Sequence, residues 1–303
     1  MLNKMVPRII GAQINFLNLF SSHAAGKKAF DVFCTPRRGR IRTKDRDFLE
    51  TCDSEQVLTG GPEKIQTYTW NEEGERTVLL IHGWESNTAR WRFLIPYLVD
   101  EGYKVVSLDA PAHGGSEGKL LNVPKYAAAI DLVVDAFQPD HLVGHSVGGM
   151  SVIYFLEKYG PKSVKSVAVL GAPAQLPPII AGYKKMLGLT SSTVRSMDRY
   201  LETQFGFPIA HFQTEIFKRA HKMKMLIVHD QKDRICPPEG ALYNHRHFPH
   251  SELFFTEGLG HGLQDKKVFD KIVEYLRPGK SLNGKDRADA RPLVNGNELL
   301  PHI

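Results

Sequence analysis

Three side chains, Ser146, Asp233 and His261, follow one another in an order and in local settings that suit nucleophilic catalysis. Ser146 lies in "GHSVGG" (144–149), between the apolar run "HLV" and a long helical-looking stretch, "MSVIYFLEKYG". A serine hydroxyl is a poor nucleophile at neutral pH. It needs an adjacent base, a carboxylate that orients the base, and donors for the oxyanion that forms. A sharp strand-to-helix turn lifts the side chain clear of the sheet edge and aims a helix N-terminus at the reacting oxygen. So tight a turn calls for the small residues Gly144 and Gly148, two before and two after the serine. Alone the pattern is weak; after a strand and before a helix it gains weight.

The base is expected from a later loop. His261, in "EGLGHGLQD", follows the last apolar run, "ELFFTEG". The chain has 13 histidines, so the position at a sheet end and the glycine-rich loop single this one out. The carboxylate is expected from a strand end between the two. "VHDQKDRICPP" offers Asp230 and Asp233. Asp233, further out in the loop, is the expected acid, whereas Asp230 at the strand terminus is expected to shape the turn. The earlier strand ends in "GAPA", which has no carboxylate. "LIHGW" (80–84) ends another strand, so the backbone N–H of Trp84 and that of Val147 are the expected oxyanion donors. His82 and Gly83 are expected to shape that loop.

These residues must be positioned by alternating strands and helices. Short apolar runs occur at 77–83, 104–111, 141–146, 166–173, 224–230 and 252–258, most of them separated by helix-length stretches. "KIQTYTW" (64–70) alternates as an antiparallel strand does. The stretch 88–102 reads as a helix with Pro96 as its weak point. The helix at 124–137 opens on proline, and the one after Ser146 stops at Gly160 and Pro161. This pattern predicts an α/β fold with a mostly parallel sheet covered on both faces. Residues 174–222 are far longer than a simple crossover needs and read as an inserted helical cap with several phenylalanines. We divide the chain into an N-terminal helical, basic extension (1–55), a main domain (56–278) and a polar C-terminal tail (279–303).

With 303 residues, 42% apolar and 24% charged, the chain suits an ordinary globular protein with a sizeable core. No apolar run reaches the roughly 18 residues of a membrane-spanning helix. Three cysteines, far apart, have neither disulfide nor metal-type spacing and fit a reducing, cytoplasmic setting. The net charge of +6 owes much to "PRRGRIRTKDR" (36–46), read as a solvated basic loop. In the first 20 residues, Gln13, Asn15 and Asn18 interrupt the apolar run as a secretory signal would not. Val6, Ile10, Ile14, Leu17 and Phe20 recur at helical spacing, which predicts a docked or surface-lying amphipathic helix, with weak membrane-surface contact as one use.

Taken together, "HGW" (82–84), "DAPAHGGS" (109–116), "GHSVGG", "HDQKDRICPP" (229–238) and "GLGHG" (258–262) resemble the α/β-hydrolase superfamily over about residues 75–275. The resemblance implies an eight-stranded, mostly parallel sheet with a helical cap after the sixth strand. It carries the nucleophile, acid and base onto Ser146, Asp233 and His261. Ala112 stands where that family usually has glycine, and Asp109 and His113 are expected to build the loop. A serine at the elbow argues against the branches that use aspartate there. No cofactor motif is present, and no metal or nucleic-acid partner is expected. The expected activity is hydrolysis of a small-molecule ester or thioester of apolar character. A carbon–carbon bond hydrolase and a binding protein with vestigial hydrolysis are the alternatives.

Overall fold

The computed structural model describes residues 2–58 and 63–277, with side chains from residue 5. The proposed tail, 279–303, lies outside the described residues. Eight strands form one sheet: β1 (Asp53–Leu58), β2 (Lys64–Trp70), β3 (Arg76–Ile81), β4 (Tyr103–Leu108), β5 (His141–His145), β6 (Ser166–Leu170), β7 (Met225–Asp230) and β8 (Ser251–Thr256). Their spatial order is β1-β2-β4-β3-β5-β6-β7-β8. β2 pairs antiparallel with both neighbours, and every other pairing is parallel. β5, which leads into Ser146, is therefore an interior strand, and all five of its residues are buried.

The central strands are apolar without a break because both of their faces are covered. Leu79 and Ile81 of β3 join one core, with Tyr126, Leu142 and Ile153; Val78 and Leu80 join the other, with Trp91, Val143 and Ile272. The helices that supply these residues are α5 (Val123–Phe137), α6 (Val147–Tyr159) and α10 (Lys266–Leu276). Asn122 caps α5 by accepting from Lys125 N–H, with Pro124 in its first turn.

Three expectations need correction. Residues 53–58 are a strand, so the boundary drawn at residue 55 falls inside β1. β1 is an almost wholly exposed edge strand, so it carries no buried apolar alternation to read. The stretch 88–102 is not one helix. It forms a single 3₁₀ turn, Thr88–Trp91, and a separate α4 (Ile95–Asp100) that Pro96 opens, since proline fits a helix start but breaks an interior. Of the face drawn through the first helix, Ile14 is buried and Ile10 and Leu17 are partly so, whereas Val6 and Phe20 are exposed.

The first helices, α1 (Leu2–Leu17) and α2 (Ser22–Cys34), pack on the two helices that follow β6, α7 (Leu176–Leu187) and α8 (Ser191–Phe205). Their shared core includes Ile14, Phe30, Tyr183, Leu187 and Met197. Two glycines allow the backbones to meet. A Cβ on Gly11 would lie 1.9 Å from the Leu187 carbonyl oxygen, and one on Gly26 would lie 2.3 Å from that of Ser196. The asparagines that interrupt the apolar run make the polar contacts of this docking. Asn15 donates to the Gly188 carbonyl at 2.9 Å and accepts from Thr190 N–H at 3.0 Å, joining the end of α7 to the start of α8. Asn18 accepts from the Ser196 hydroxyl at 2.7 Å. The phenylalanines after α8 pack inward: Phe212 and Phe217 are buried against Tyr154 of α6. Among the described residues no helix is long and apolar enough to cross a membrane.

The close approach at Gly26 makes a prediction. Gly26→Ala should lower the thermal midpoint by several degrees, because the clash is with backbone. Gly182→Ala, on an open face of α7, should be neutral or slightly stabilising. Equal midpoints for the two variants in a melting experiment would contradict the packing described.

Candidate active site

Ser146 stands between β5 and α6 with φ 54° and ψ −125°, a conformation that L-residues avoid. Its N–H donates to the Leu170 carbonyl at 2.8 Å, and its carbonyl accepts from Met150 N–H at 3.1 Å. The glycines have roles slightly different from those expected. A Cβ on Gly144 would meet the Gly149 Cα at 2.7 Å, and one on Gly148 would meet the His82 carbonyl oxygen at 2.4 Å. Gly148 thus lets the new helix pass the end of β3, and Gly149 closes the turn. Gly83 belongs to the same crowd, since a Cβ there would lie 3.0 Å from that of Ser146. The loop carrying Trp84 therefore runs directly beside the serine, and Val147 opens α6 on its other side.

Asp233 and His261 are brought together. His261 Nδ1 donates to Asp233 Oδ2 at 2.7 Å, which leaves Nε2 as the basic nitrogen of that ring. Asp233 is held by its other oxygen, which accepts from Ile235 N–H at 2.8 Å and Cys236 N–H at 3.0 Å. Asp230 turns elsewhere. It accepts from the Thr256 hydroxyl and Leu259 N–H, both at 2.8 Å, and from Lys232 N–H at 2.9 Å. It thereby ties the loop that carries His261 to the end of β7. Burial pushes its carboxyl up, but the donors outweigh burial and hold it at about 2.

Sequence reasoning missed three neighbours. His145, immediately before the serine, donates through Nε2 to the His261 carbonyl at 2.8 Å, and the two rings lie 4.8 Å apart. It links the turn of Ser146 to the loop of His261, and its place at the last position of β5 is the signal that points to it. Cys236 donates its N–H to Asp233; burial, then the Asp233 charge, pushes its thiol up to about 12, so it stays protonated. Gly171, in the "GAPA" turn, has φ 57°, and a Cβ there would sit 3.3 Å from His261 Nδ1. That strand end contributes room for the pair where it lacks a carboxylate.

The loops at 82–88 and 109–116 brace each other. His82 Nε2 accepts from Ala110 N–H at 2.9 Å while its Nδ1 donates to the Gly83 carbonyl at 2.7 Å. His113 Nε2 accepts from Glu85 N–H at 3.1 Å while its Nδ1 donates to the Pro111 carbonyl at 2.9 Å. Buried Asp109 accepts from Thr88 N–H and Gly115 N–H, both at 2.8 Å, and from the Tyr68 hydroxyl at 3.0 Å. Ala112 takes φ 65°, the left-handed conformation that a glycine would adopt more readily. Part of the basic loop is also committed here, since Arg40 donates to the carbonyls of Gly114 and Ser116 at 3.2 and 2.7 Å.

Family models match most of this region. One, described as alpha/beta hydrolase fold, matches residues 76–188, and one described as TAP-like protein matches 210–288. The chain is 32% identical over 120 residues to a serine hydrolase-like protein of Danio rerio, covering 38% of this chain and 36% of that one. It is 25% identical over 225 residues to a pimeloyl-[acyl-carrier protein] methyl ester esterase of Neisseria meningitidis, covering 61% and 86%. The chain spans half or less of the length of several curated relatives that it matches. A solved esterase from Exiguobacterium antarcticum shares the fold, with a TM-score of 0.57 at 18% identity, covering 73% of this chain and 98% of that one.

The buried histidines predict how the fold responds to acid. His82, His113, His141, His145 and His229 are all held below the ordinary imidazole range, first of all by burial; His82 lies at about 3 and His141 at about 4. Unfolded, they bind protons once the pH drops below about 6.5, whereas the folded chain resists. Stability is therefore undiminished above that value and falls as the pH drops below it. The thermal midpoint should decline from pH 7 to 5, with net uptake of protons on unfolding in that range. A midpoint flat over that range would contradict it.

Proposed function

Because the chain belongs to the α/β-hydrolase superfamily, we propose that it is a serine hydrolase that cleaves a carboxylic ester or thioester through an acyl-enzyme. The observation that carries this reading is the 2.7 Å hydrogen bond from His261 Nδ1 to Asp233, in a loop tied by His145 to the turn that presents Ser146. With Nδ1 protonated and engaged, Nε2 is the nitrogen that accepts the serine proton. Ser146 Oγ then attacks the acyl carbon. The oxyanion that forms is held by Trp84 N–H and Val147 N–H, at the start of α6, where the helix dipole adds positive potential.

The imidazolium next returns its proton to the departing alcohol or thiol, and a water activated by the same Nε2 releases the acid. Asp233 keeps the ring in the required tautomer and stabilises its charged form. Trp84, partly exposed beside the site and edge-on to His113 at 5.6 Å, offers the acyl group an apolar surface. The inward packing of Phe212 and Phe217 removes them as candidates for that surface. The esterase named among the relatives supports the ester reading.

Steady-state hydrolysis of p-nitrophenyl esters from acetyl to palmitoyl tests this. Ser146→Ala should lower kcat by about 10⁴-fold or more, and Asp233→Asn by about 10³-fold or more. Asp230→Asn should cost far less activity and act on stability instead. The depressed carboxyl contributes stability that is present above about pH 4 and fades toward pH 2. Its effect on the melting point should therefore be large at pH 7 and small near pH 2. Equal activity losses for Asp233→Asn and Asp230→Asn would overturn the assignment of the acid. Faster turnover of a ring-cleavage dienone than of any ester would favour carbon–carbon hydrolysis.

A further inference from the structure

Helix α1 is apolar on two opposite faces, and only one of them is covered. Ile10, Ile14 and Leu17, with Gly11, point to α7 and its neighbours. On the opposite side Met5, Ile9, Ala12, Phe16 and Leu19 recur at alternating steps of four and three, which places them in one stripe along the helix and the turn that follows it. That stripe is in solvent: Met5 is 59% exposed, Ile9 53%, Phe16 64%, Leu19 77% and the adjoining Phe20 74%. Phe16 and Phe20 stack edge to face at 5.1 Å, so the ridge ends in an aromatic pair. Met186, on the α7 helix against which α1 rests, is exposed as well. Burying one stripe suffices to dock a surface helix, so a second apolar stripe has no use in the fold.

The segment that carries the stripe has only positive charge in its first 30 residues. Residues 1–30 contain Lys4, Arg8, Lys27 and Lys28 and no acidic residue; the first is Asp31, which pairs with Lys27 at 2.6 Å. Lys4 and Arg8 lie in the first half of α1, where cations oppose the helix dipole. Arg8 lies beside Gly188 at the C-terminal end of α7, where a cation suits that helix's dipole. Lys184 and Lys185 add to the positive charge on α7. A second copy of the chain set against this face would bring cations onto cations. An anionic lipid surface would meet the cations with phosphates and the apolar ridge with acyl chains.

We propose that the outward stripe of α1 docks the protein on anionic lipid bilayers, with Met5, Ile9, Phe16 and Phe20 inserted at the headgroup boundary. The helix lies in the plane of the interface and does not span it. Because α1 packs on α7 through its opposite face, docking leaves α7 behind α1, about 10 Å from the interface. The inference does not depend on the reaction proposed above.

Co-sedimentation of the full chain with vesicles tests it, using phosphatidylcholine alone and phosphatidylcholine with one quarter phosphatidylglycerol. The wild type should sediment with the anionic vesicles, at least tenfold less with neutral ones, and lose binding in high salt. The triple variant Ile9→Gln, Phe16→Gln, Phe20→Gln should bind at least tenfold more weakly while keeping the wild-type melting point and its rate on a short, soluble ester. Wild type that stays in the supernatant, or a folded triple variant that still sediments, would overturn the proposal. A concentration-dependent dimer that the same substitutions abolish, without vesicle binding, would assign the stripe to a second copy instead.

Discussion

A serine held at φ 54° and ψ −125° is the constraint on which the rest of this molecule depends. Such a backbone costs about 1–3 kcal/mol and persists only where its surroundings over-determine it. Here they do so from every side. β5 is an interior strand, so the turn starts from a fixed platform. Gly144, Gly148, Gly149 and Gly83 remove the side chains that would keep the segments apart. The Ser146 N–H is anchored on β6, and its carbonyl begins the hydrogen bonding of α6. The strain is thus distributed into sheet and helix, and the Ser146 backbone is left in one place.

The second element of the design is the use of histidines as fixed, neutral struts. His82 and His113 each accept a backbone N–H on one nitrogen and donate to a carbonyl on the other. Only the neutral ring can do both, and burial keeps it neutral. His145 spans from the Ser146 turn to the His261 loop. Asp109 and Asp230 do the same work with carboxylates, each collecting backbone and hydroxyl donors from loops distant in sequence. The loops around the site are therefore held by polar groups with specific partners, while the sheet is held by apolar burial.

What the sequence revealed follows the same division. Strands buried on both faces are unbroken apolar runs, so β3 to β7 can be read directly, and so can the order Ser146, Asp233, His261. β1 cannot, because an exposed edge strand carries no pattern. The single helix read over 88–102 failed at Pro96, whose fixed φ suits a helix start better than an interior. The struts are only half legible: His82 and His113 can be assigned to loop architecture, but their partners, like that of His145, arise from contacts between distant loops. In α1 the asparagines read as interruptions of an apolar face because their partners lie more than 170 residues away.

The central claim is that Ser146 is an activated nucleophile whose base is His261. Incubating the full chain with a fluorophosphonate and locating the adduct by mass spectrometry tests it most directly, with His261→Ala treated in parallel. The account predicts a single adduct on Ser146 in the wild type and none in the folded variant. An unlabelled wild type, an adduct on another residue, or equal labelling of Ser146 in both proteins would contradict it.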